Sequence, residues 1–368
     1  MNRIIDFLKK EIVLSVSFVL ALISMFFVPP SEKYFDYIDF RTLGLLFSLM
    51  TIMAGLNKMG IFRLLAKNLL NKAKTMRGVT LLLVSLCFFS SMLITNDVAL
   101  ITFVPFSVVL LKLANKQNRM IFVVTLETIA ANLGSMLTPI GNLQNLYLFS
   151  AYNMSISDFF YTIAPYAMLS LGLLVIFSLF SDKSELANLG DREEVIFDKR
   201  LLTMYAVLFA IALLSVFRVL NYIVLLAVVI VFVLIFDRKV LLKVDYSLLF
   251  TFVFLFIFIG NLGNIAQINS WLSEIVGGNE VVVGVLASQV FSNVPAAILL
   301  SGFTCNAAAL MIGVNIGGLG TLIASMASLI SFKFIQKESV SIAKYLGVFT
   351  LLNVVFLAAN LALWVVVK

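Results

Sequence analysis

Residues 132–145 read Asn-Leu-Gly-Ser-Met-Leu-Thr-Pro-Ile-Gly-Asn-Leu-Gln-Asn, and residues 315–325 read Asn-Ile-Gly-Gly-Leu-Gly-Thr-Leu-Ile-Ala-Ser. Each stretch lies in the middle of an apolar segment, 120–150 and 307–331, that is otherwise long enough to be one helix. Glycine loosens a helix, proline removes an amide donor, and Asn and Thr carry groups that need partners. Two long apolar segments are therefore broken at matching places by matching residue types. The breaks are what the fold has to explain.

The solvent of these segments follows from composition. Of 368 residues, 62% are hydrophobic and 12% charged, with a mean hydropathy of +1.09. A water-soluble domain of this length cannot hide so much apolar surface, so the bilayer is the solvent for most of the chain. The net charge of +7 comes from short basic loops between apolar runs, the topogenic pattern of an integral membrane protein. Aromatic–basic clusters that would stack on bases are absent from the sequence, which excludes nucleic acid as a partner. With no histidine in the sequence, imidazole metal sites and histidine proton relays are excluded. Cys87 and Cys305 are expected to be buried small apolar residues, since their separation supports neither a disulfide nor a soft-metal pair. No cofactor and no enzymatic chemistry are expected. The first apolar stretch follows Arg3, Lys9 and Lys10 and ends Phe26-Phe27-Val28-Pro29-Pro30. It offers no small-x-small cleavage site and reads as an uncleaved helix.

Full spans are expected near 12–28, 40–57, 120–150, 159–180, 201–217, 221–236, 246–262, 307–331 and 345–367, nine in all. The stretches 79–111 and 281–303 are each interrupted by polar residues. Their halves are roughly 11–16 residues, about 16–24 Å of helix against a hydrocarbon core of ~30 Å. Loop charges set the sides. Lys58, Arg63, Lys67, Lys72, Lys74 and Arg77 follow the second span, and no acid occurs from Thr42 to Asn96, so that segment lies inside. Lys112, Lys116 and Arg119 follow 79–111, which therefore enters from the cytoplasm and returns to it. The segment from Gly263 to Asn306 has no Lys or Arg, so it lies outside and 281–303 enters from there. Lys183, Arg192, Lys199 and Arg200 place the central loop inside. Arg238, Lys239 and Lys243 do so for the next loop, and Lys333, Lys337 and Lys344 for the last. The expectation is a multi-pass protein of a bacterial-type inner (plasma) membrane, N-terminus cytoplasmic and C-terminus outside.

A repeat supports the same topology. Asp39-Phe40 opens a span ending near Ala54-Gly55-Leu56, and Asp245-Tyr246 opens one ending at Gly260-Asn261-Leu262. Thr95-Asn96-Asp97-Val98-Ala99 matches Ser292-Asn293-Val294-Pro295-Ala296, and the two broken stretches match in turn. Opposite loop charge makes the copies inverted, as in many secondary transporters. The predicted fold is thus an all-α polytopic membrane protein of two inverted repeats, residues 1–180 and 201–368. Each carries a re-entrant hairpin (79–111 from the cytoplasmic side, 281–303 from outside) and a discontinuous helix (120–150, 307–331). A cytoplasmic linker, 181–200, joins them. Ile61–Leu70 and Ile265–Glu274 read as interfacial helices.

Polar groups and non-helical backbone at membrane depth are tolerated only where protein or water satisfies them. They concentrate at the hairpin tips, Thr95-Asn96-Asp97 and Ser292-Asn293, and at the two breaks. Thr138 reads as an N-cap with Pro139 at the first helical position, and Thr321 as its counterpart. Asn96 or Asp97, and Ser292 or Asn293 ahead of Pro295, can cap the second hairpin arms. Gly134, Gly141, Gly317 and Gly318 supply backbone freedom and close approach. Half-helix N-termini suit an anion. Opposing carbonyls with the oxygens of Asn132, Ser135, Asn142 and Asn315 suit a hard cation, with Na⁺ placed near Asn96 and Asn293. The competing reading is of packing kinks, glycine allowing helix approach and Asn bonding across an interface. Asp97 and Glu127 are the ion-coupling candidates, and Val294 and Leu310 hold the equivalent places. For Glu127, pairing with a distant lysine or a protonated resting state is the other reading.

These motifs resemble the ion transporter superfamily. The nearest branch holds arsenite/antimonite efflux permeases, sodium–proton antiporters and citrate-transporter-like anion permeases. The resemblance rests on 132–145 and on the paired tips, and covers about residues 36–335. It implies a homodimer, a scaffold domain with a transport domain moving as an elevator, and substrate and coupling ion (Na⁺ or H⁺) bound between tips and breaks. Asn96, Asp97, Thr138, Asn142, Ser292, Asn293 and Thr321 match its motifs. The third tip position departs from the Ser-Asn-Thr of the sodium–dicarboxylate symporters, with Asp97 and Val294 in its place. An ion-coupled permease for a small carboxylate or inorganic anion is the expected function, with a Na⁺/H⁺ antiporter or an arsenite/antimonite efflux permease as alternatives.

Overall fold

The helices begin where a polar side chain at the edge of an apolar run can take up a free amide. The computed structural model describes residues 11–59, 75–184 and 198–367. Helix α1 (Ile12–Phe27) is followed by α2 (Phe40–Lys58), which Asp39 opens by accepting the Thr42 amide at 2.9 Å. Thr75 opens α3 (Met76–Ile94), and a single residue, Thr95, separates it from α4 (Asn96–Leu113). Then come α5 (Met120–Ser135), α6 (Leu143–Ala151) and α7 (Ile156–Leu179). In the second half, α8 (Lys199–Val216) and α9 (Tyr222–Phe236) precede α10 (Tyr246–Gly263), which Asp245 opens by accepting the Leu248 amide at 3.0 Å. Last are α11 (Ala266–Val276), α12 (Glu280–Phe291), α13 (Asn293–Ser301), α14 (Ala307–Ile316), α15 (Met326–Ile335) and α16 (Ile342–Val367). Regular structure among the described residues is helical, and the chain is an all-α polytopic membrane protein.

By length and composition, seven described helices can cross a membrane: α2, α3, α4, α7, α8, α10 and α16. The count is eight if α11 and α12, bent by 110°, form one span. The expected nine differ because α5/α6 and α14/α15 are pairs of half-helices, and α1 and α9 are short. The arms of the first hairpin also differ from expectation. They have 19 and 18 residues, because the Thr75 cap starts α3 before its apolar run and α4 continues through Lys112. The second hairpin keeps short arms of 12 and 9 residues, about 18 and 14 Å of helix. The expected helix at 61–70 lies outside the described residues, as does most of the 181–200 linker; α11 forms where 265–274 was read.

Side-chain bonds sort the helices into two packed groups. In one, Asn261 on α10 donates to Ser24 on α1 at 2.9 Å, and Lys58 on α2 pairs with Asp237 at 2.8 Å, with Tyr205 of α8 on the same carboxylate at 3.2 Å. Arg41 on α2 donates to the Ser215 carbonyl of α8 at 3.4 Å. In the other, Thr128 on α5 donates to Ser331 on α15 at 2.7 Å and Asn360 on α16 to Ser170 on α7 at 3.1 Å. Lys112, at the end of α4, pairs with Glu338 beyond α15. The group holding both hairpins and both broken helices meets the group of α1, α2, α8, α9 and α10 through few side-chain bonds, among them Thr102 to Asn57 at 3.0 Å and Arg218 to the Phe149 carbonyl at 3.0 Å.

The repeat holds at the level of single bonds. Thr95 and Ser292 share one strained backbone, φ 71° and ψ 153–154°. The next amide in each case reaches the facing break, Asn96 to the Gly141 carbonyl at 3.1 Å and Asn293 to that of Ala324 at 2.9 Å. Thr138 donates its hydroxyl to the Met92 carbonyl, and Thr321 donates to that of Gln289 at 3.5 Å. Each tip is therefore hydrogen-bonded to the facing break. The breaks cross reciprocally: Asn142 meets Asn315 at 3.1 Å, and Ser325 meets Asn132 at 3.0 Å. The first position of each break meets the last of the other, so the equivalent segments run antiparallel.

Close approach at the first break makes one prediction. A Cβ on Gly134 would stand 2.2 Å from the Phe88 backbone oxygen of α3, whereas one on Gly172 of α7 meets nothing within 4 Å. Gly134→Ala should cost about 1–3 kcal/mol by overpacking, read as a lowered melting temperature in detergent. Gly172→Ala should change it little.

Candidate functional site

Four helices begin at the place where tips and breaks meet: α4 at Thr95, α6 at Asn142, α13 at Ser292 and α15 at Ser325. Their partial positive ends face a common centre, and the carbonyl ends of α5 and α14 close on it from the other sides. Backbone that would be costly in hydrocarbon is satisfied here by buried amide side chains. Asn315 is the hub. Its Oδ1 accepts from Asn142 Nδ2 at 3.1 Å and Gln144 Nε2 at 3.4 Å, while its Nδ2 donates to Asn145 Oδ1 at 2.6 Å. Asn132 is the second hub. Its Oδ1 accepts from Asn96 at 3.2 Å and Ser325 at 3.0 Å, and its Nδ2 donates to Ser328 at 3.4 Å. Ser135 bonds the Asn132 carbonyl at 2.9 Å and receives Asn142 Nδ2 at 3.3 Å.

The structure thus brings together Asn96, Asn132, Ser135, Asn142, Asn293 and Asn315, with Gly141 and Ala324 as the carbonyls that receive the tips. The glycines act by proximity. A Cβ on Gly318 would lie 2.9 Å from Asn293 Nδ2, and one on Gly141 2.2 Å from the Ser135 oxygen. Gly317 gives its carbonyl to Gln289 Nε2 at 2.8 Å. Pro295 is buried in the first turn of α13, where its missing donor costs nothing.

Several expected roles are corrected. Thr138 and Pro139 do not open a helix; they sit in the turns of the break, and the Thr138 hydroxyl ties the break to Met92. The cap of α6 is Asn142, whose Oδ1 accepts the Asn145 amide at 3.0 Å. Thr321 is exposed and does not cap α15, which starts at Met326; its amide donates to Gln289 Oε1 at 3.0 Å. In both cases the break runs several residues longer than one turn, so the half-helix begins later. The second hairpin arms begin on Thr95 and Ser292 without any side-chain cap, because the single-residue turn leaves no room for one; Asn96 Oδ1 does accept the Asp97 amide at 3.0 Å. Cys87 is buried as expected, but Cys305 is exposed, lying in the short loop after α13 rather than within it.

The two carboxylates part company. Asp97, in the first turn of α4, is half-buried at the tip, and no basic side chain pairs with it among the described residues. Glu127 is fully buried behind the site, between α3 and α4. Its Oε1 accepts from Ser107 at 2.5 Å and lies 3.8 Å from Cys87 Sγ, and its Oε2 has no partner. It joins no bond of the amide network. Sequence reading missed Gln289, Gln144, Asn145 and Ser328. The signal for Gln289 was present, a lone amide three residues before a tip in an apolar arm. No group of three or more Cys, Asp or Glu side chains among the described residues is placed to hold a metal ion.

The arrangement offers donors to an anion and amide oxygens to a cation, without a lysine or arginine. The model of the citrate transporter family matches residues 4–309. The chain belongs to that family. It is 32% identical over 350 residues, 94% of this chain and 95% of the relative, to an uncharacterized transporter of Methanocaldococcus jannaschii. It is 32% identical over 326 residues, 84% of this chain and 83% of the relative, to an inner membrane protein of Escherichia coli. A shorter match of 162 residues, 43% of this chain and 32% of the relative, is 32% identical to a silicon efflux transporter of rice, Oryza sativa. The protein is therefore an integral multi-pass membrane transporter of the citrate transporter family.

Removing the Asn315 hub should be costly. Asn315→Ala leaves the amides of Asn142, Gln144 and Asn145 short of partners in a dry interior, a loss of about 1–3 kcal/mol or more. Asn353→Ala, which removes a buried amide whose Oδ1 already lacks a partner, should cost less. Thermal melts of the two variants side by side test the difference.

Proposed function

We propose that the protein is an ion-coupled permease for a small carboxylate or inorganic anion, with the substrate at the centre of the four helix N-termini. The observation that supports this most is the reciprocal crossing of Asn132, Asn142, Asn315 and Ser325, which gathers those N-termini and leaves no basic side chain there. A transient anion fits such a site better than a permanent countercharge would allow, since donors of modest strength bind and release. Thr95, Asn96, Asp97, Ser292 and Asn293 line it from the hairpin side, with Gly318 of the second break against Asn293.

On this reading residues 1–180 and 201–368 are the two inverted units, and 79–111 and 281–303 are re-entrant hairpins from opposite faces. The helix group holding them moves as an elevator against α1, α2, α8, α9 and α10 within a homodimer. The protein sits in the plasma membrane with N-terminus inside and C-terminus outside. Na⁺ or H⁺ is the coupling ion, with Na⁺ at the oxygens near Asn96 and Asn293 and Asp97 the carboxylate nearest them.

A second reading takes the same lack of cationic side chains further. An all-amide site suits an uncharged hydroxylated oxide, and the rice relative is named a silicon efflux transporter; arsenite or antimonite efflux belongs to this reading. The unpaired Asp97 carboxylate is the feature that a Na⁺/H⁺ antiporter would use.

Counterflow in proteoliposomes separates these readings. Labelled citrate, a dicarboxylate or phosphate should accumulate against the same unlabelled anion, and Asn142→Ala should lower the rate at least tenfold. Asp97→Asn should abolish dependence on an imposed Na⁺ or H⁺ gradient while leaving exchange measurable. Arsenite counterflow with no anion exchange would move the assignment to the second reading. Na⁺-driven pH change without any anion would move it to the antiporter.

A further inference from the structure

Arg218 lies in the loop between α8 and α9 with φ at +65°. Its amide donates to the Ser215 carbonyl at 3.1 Å and the next amide to that of Leu214 at 2.8 Å, a left-handed helix end that glycine would fill without strain. An arginine kept there against backbone preference is a candidate for a task of its own. Its Nη2 donates to the carbonyls of Phe149 at 3.0 Å and Ser150 at 3.5 Å, and its guanidinium carbon stands 5.5 Å over the Phe149 ring. Those carbonyls are the last turn of α6, the half-helix whose other end is Asn142 in the amide network. Arg218 therefore ties one helix group to the other. Thr102 of α4 makes a second such tie, donating to Asn57 of α2 at 3.0 Å.

The repeat shows which position these ties hold. Asn57 is eighteen residues after the cap Asp39, and Thr102, its neighbour, is seven after the tip Thr95. In the other copy Gly302, ten residues after the tip Ser292, lies against Ile259, fourteen after the cap Asp245. The first tip thus stands level with a point eleven residues along α2, and the second with a point only four along α10. A symmetric placement would make the two equal. The difference of seven residues is about 10 Å at helical rise. It displaces the site toward the Lys58 end of α2 and the Asp245 end of α10, both of which the loop charges place inside.

We propose that Arg218 is a latch holding the site in its cytoplasm-facing position, and that its bonds to α6 must open before the site can reach the outer side. This rests on the two-body motion of the proposed function. A static helix cap would instead stabilise both positions alike.

The test uses two cysteine pairs in full-length protein in proteoliposomes, with Cys87→Ala and Cys305→Ser as background. Asn57→Cys with Thr102→Cys reports the position described. Gly263→Cys with Leu299→Cys occupies the equivalent places in the other copy and reports the opposite position. Both pairs should cross-link. Arg218→Gly, which suits the backbone, should raise the ratio of the second cross-link to the first about tenfold, the change expected from losing one charge-assisted bond. Arg218→Lys, which keeps the charge but not the fork, should raise it less. If both cross-links form but neither variant moves the ratio, the latch is wrong and the motion stands. If the second pair never cross-links in protein that exchanges substrate, the motion is wrong and the latch falls with it.

Discussion

A backbone amide that leaves a helix inside hydrocarbon has no water to turn to, and everything at the centre of this protein answers that constraint. Two helices break at mid-length, and each break frees carbonyls and amides at once. They are satisfied from three directions. The hairpin tips deliver Asn96 and Asn293 amides to Gly141 and Ala324, the Asn side chains cross between breaks, and Gln289 covers the Gly317 and Leu319 carbonyls at 2.8 and 3.0 Å. None of these partners is charged. A network of neutral amides satisfies these groups in place without the fixed charge that a salt bridge of the same size would bring.

Symmetry makes that solution economical and also limits it. One half of the chain supplies a tip and a break, and the other half supplies the matching pair, so each break is completed by the other. The relation is close enough that Thr95 and Ser292 adopt the same strained backbone to within a degree. It fails where the two copies meet the other helix group: α2 and α10 are engaged at different heights.

The two carboxylates show how much place governs chemistry in a low-dielectric interior. Asp97 and Glu127 look alike in sequence, each an acid within an apolar run near a polar break. In the fold one stands half-buried at the tip. The other is walled in by Cys87 and Ser107 on the far side of α5, outside the amide network.

Much of this was written in the chain. Membrane class, the matched motifs and the two breaks follow from apolar run length and misplaced polar residues, because hydrocarbon punishes exceptions so heavily that each one is visible. The identities of Asn96, Asn132, Asn142, Asn293 and Asn315 followed by the same logic. Pairing did not. That Asn142 finds Asn315, that Thr138 bonds Met92 instead of starting a helix, and that the α3–α4 arms run to 19 and 18 residues depend on where separate segments come to rest. Composition says that a buried polar group must have a partner. Packing alone chooses which one, since several lie equally far away along the chain and only one is adjacent in space.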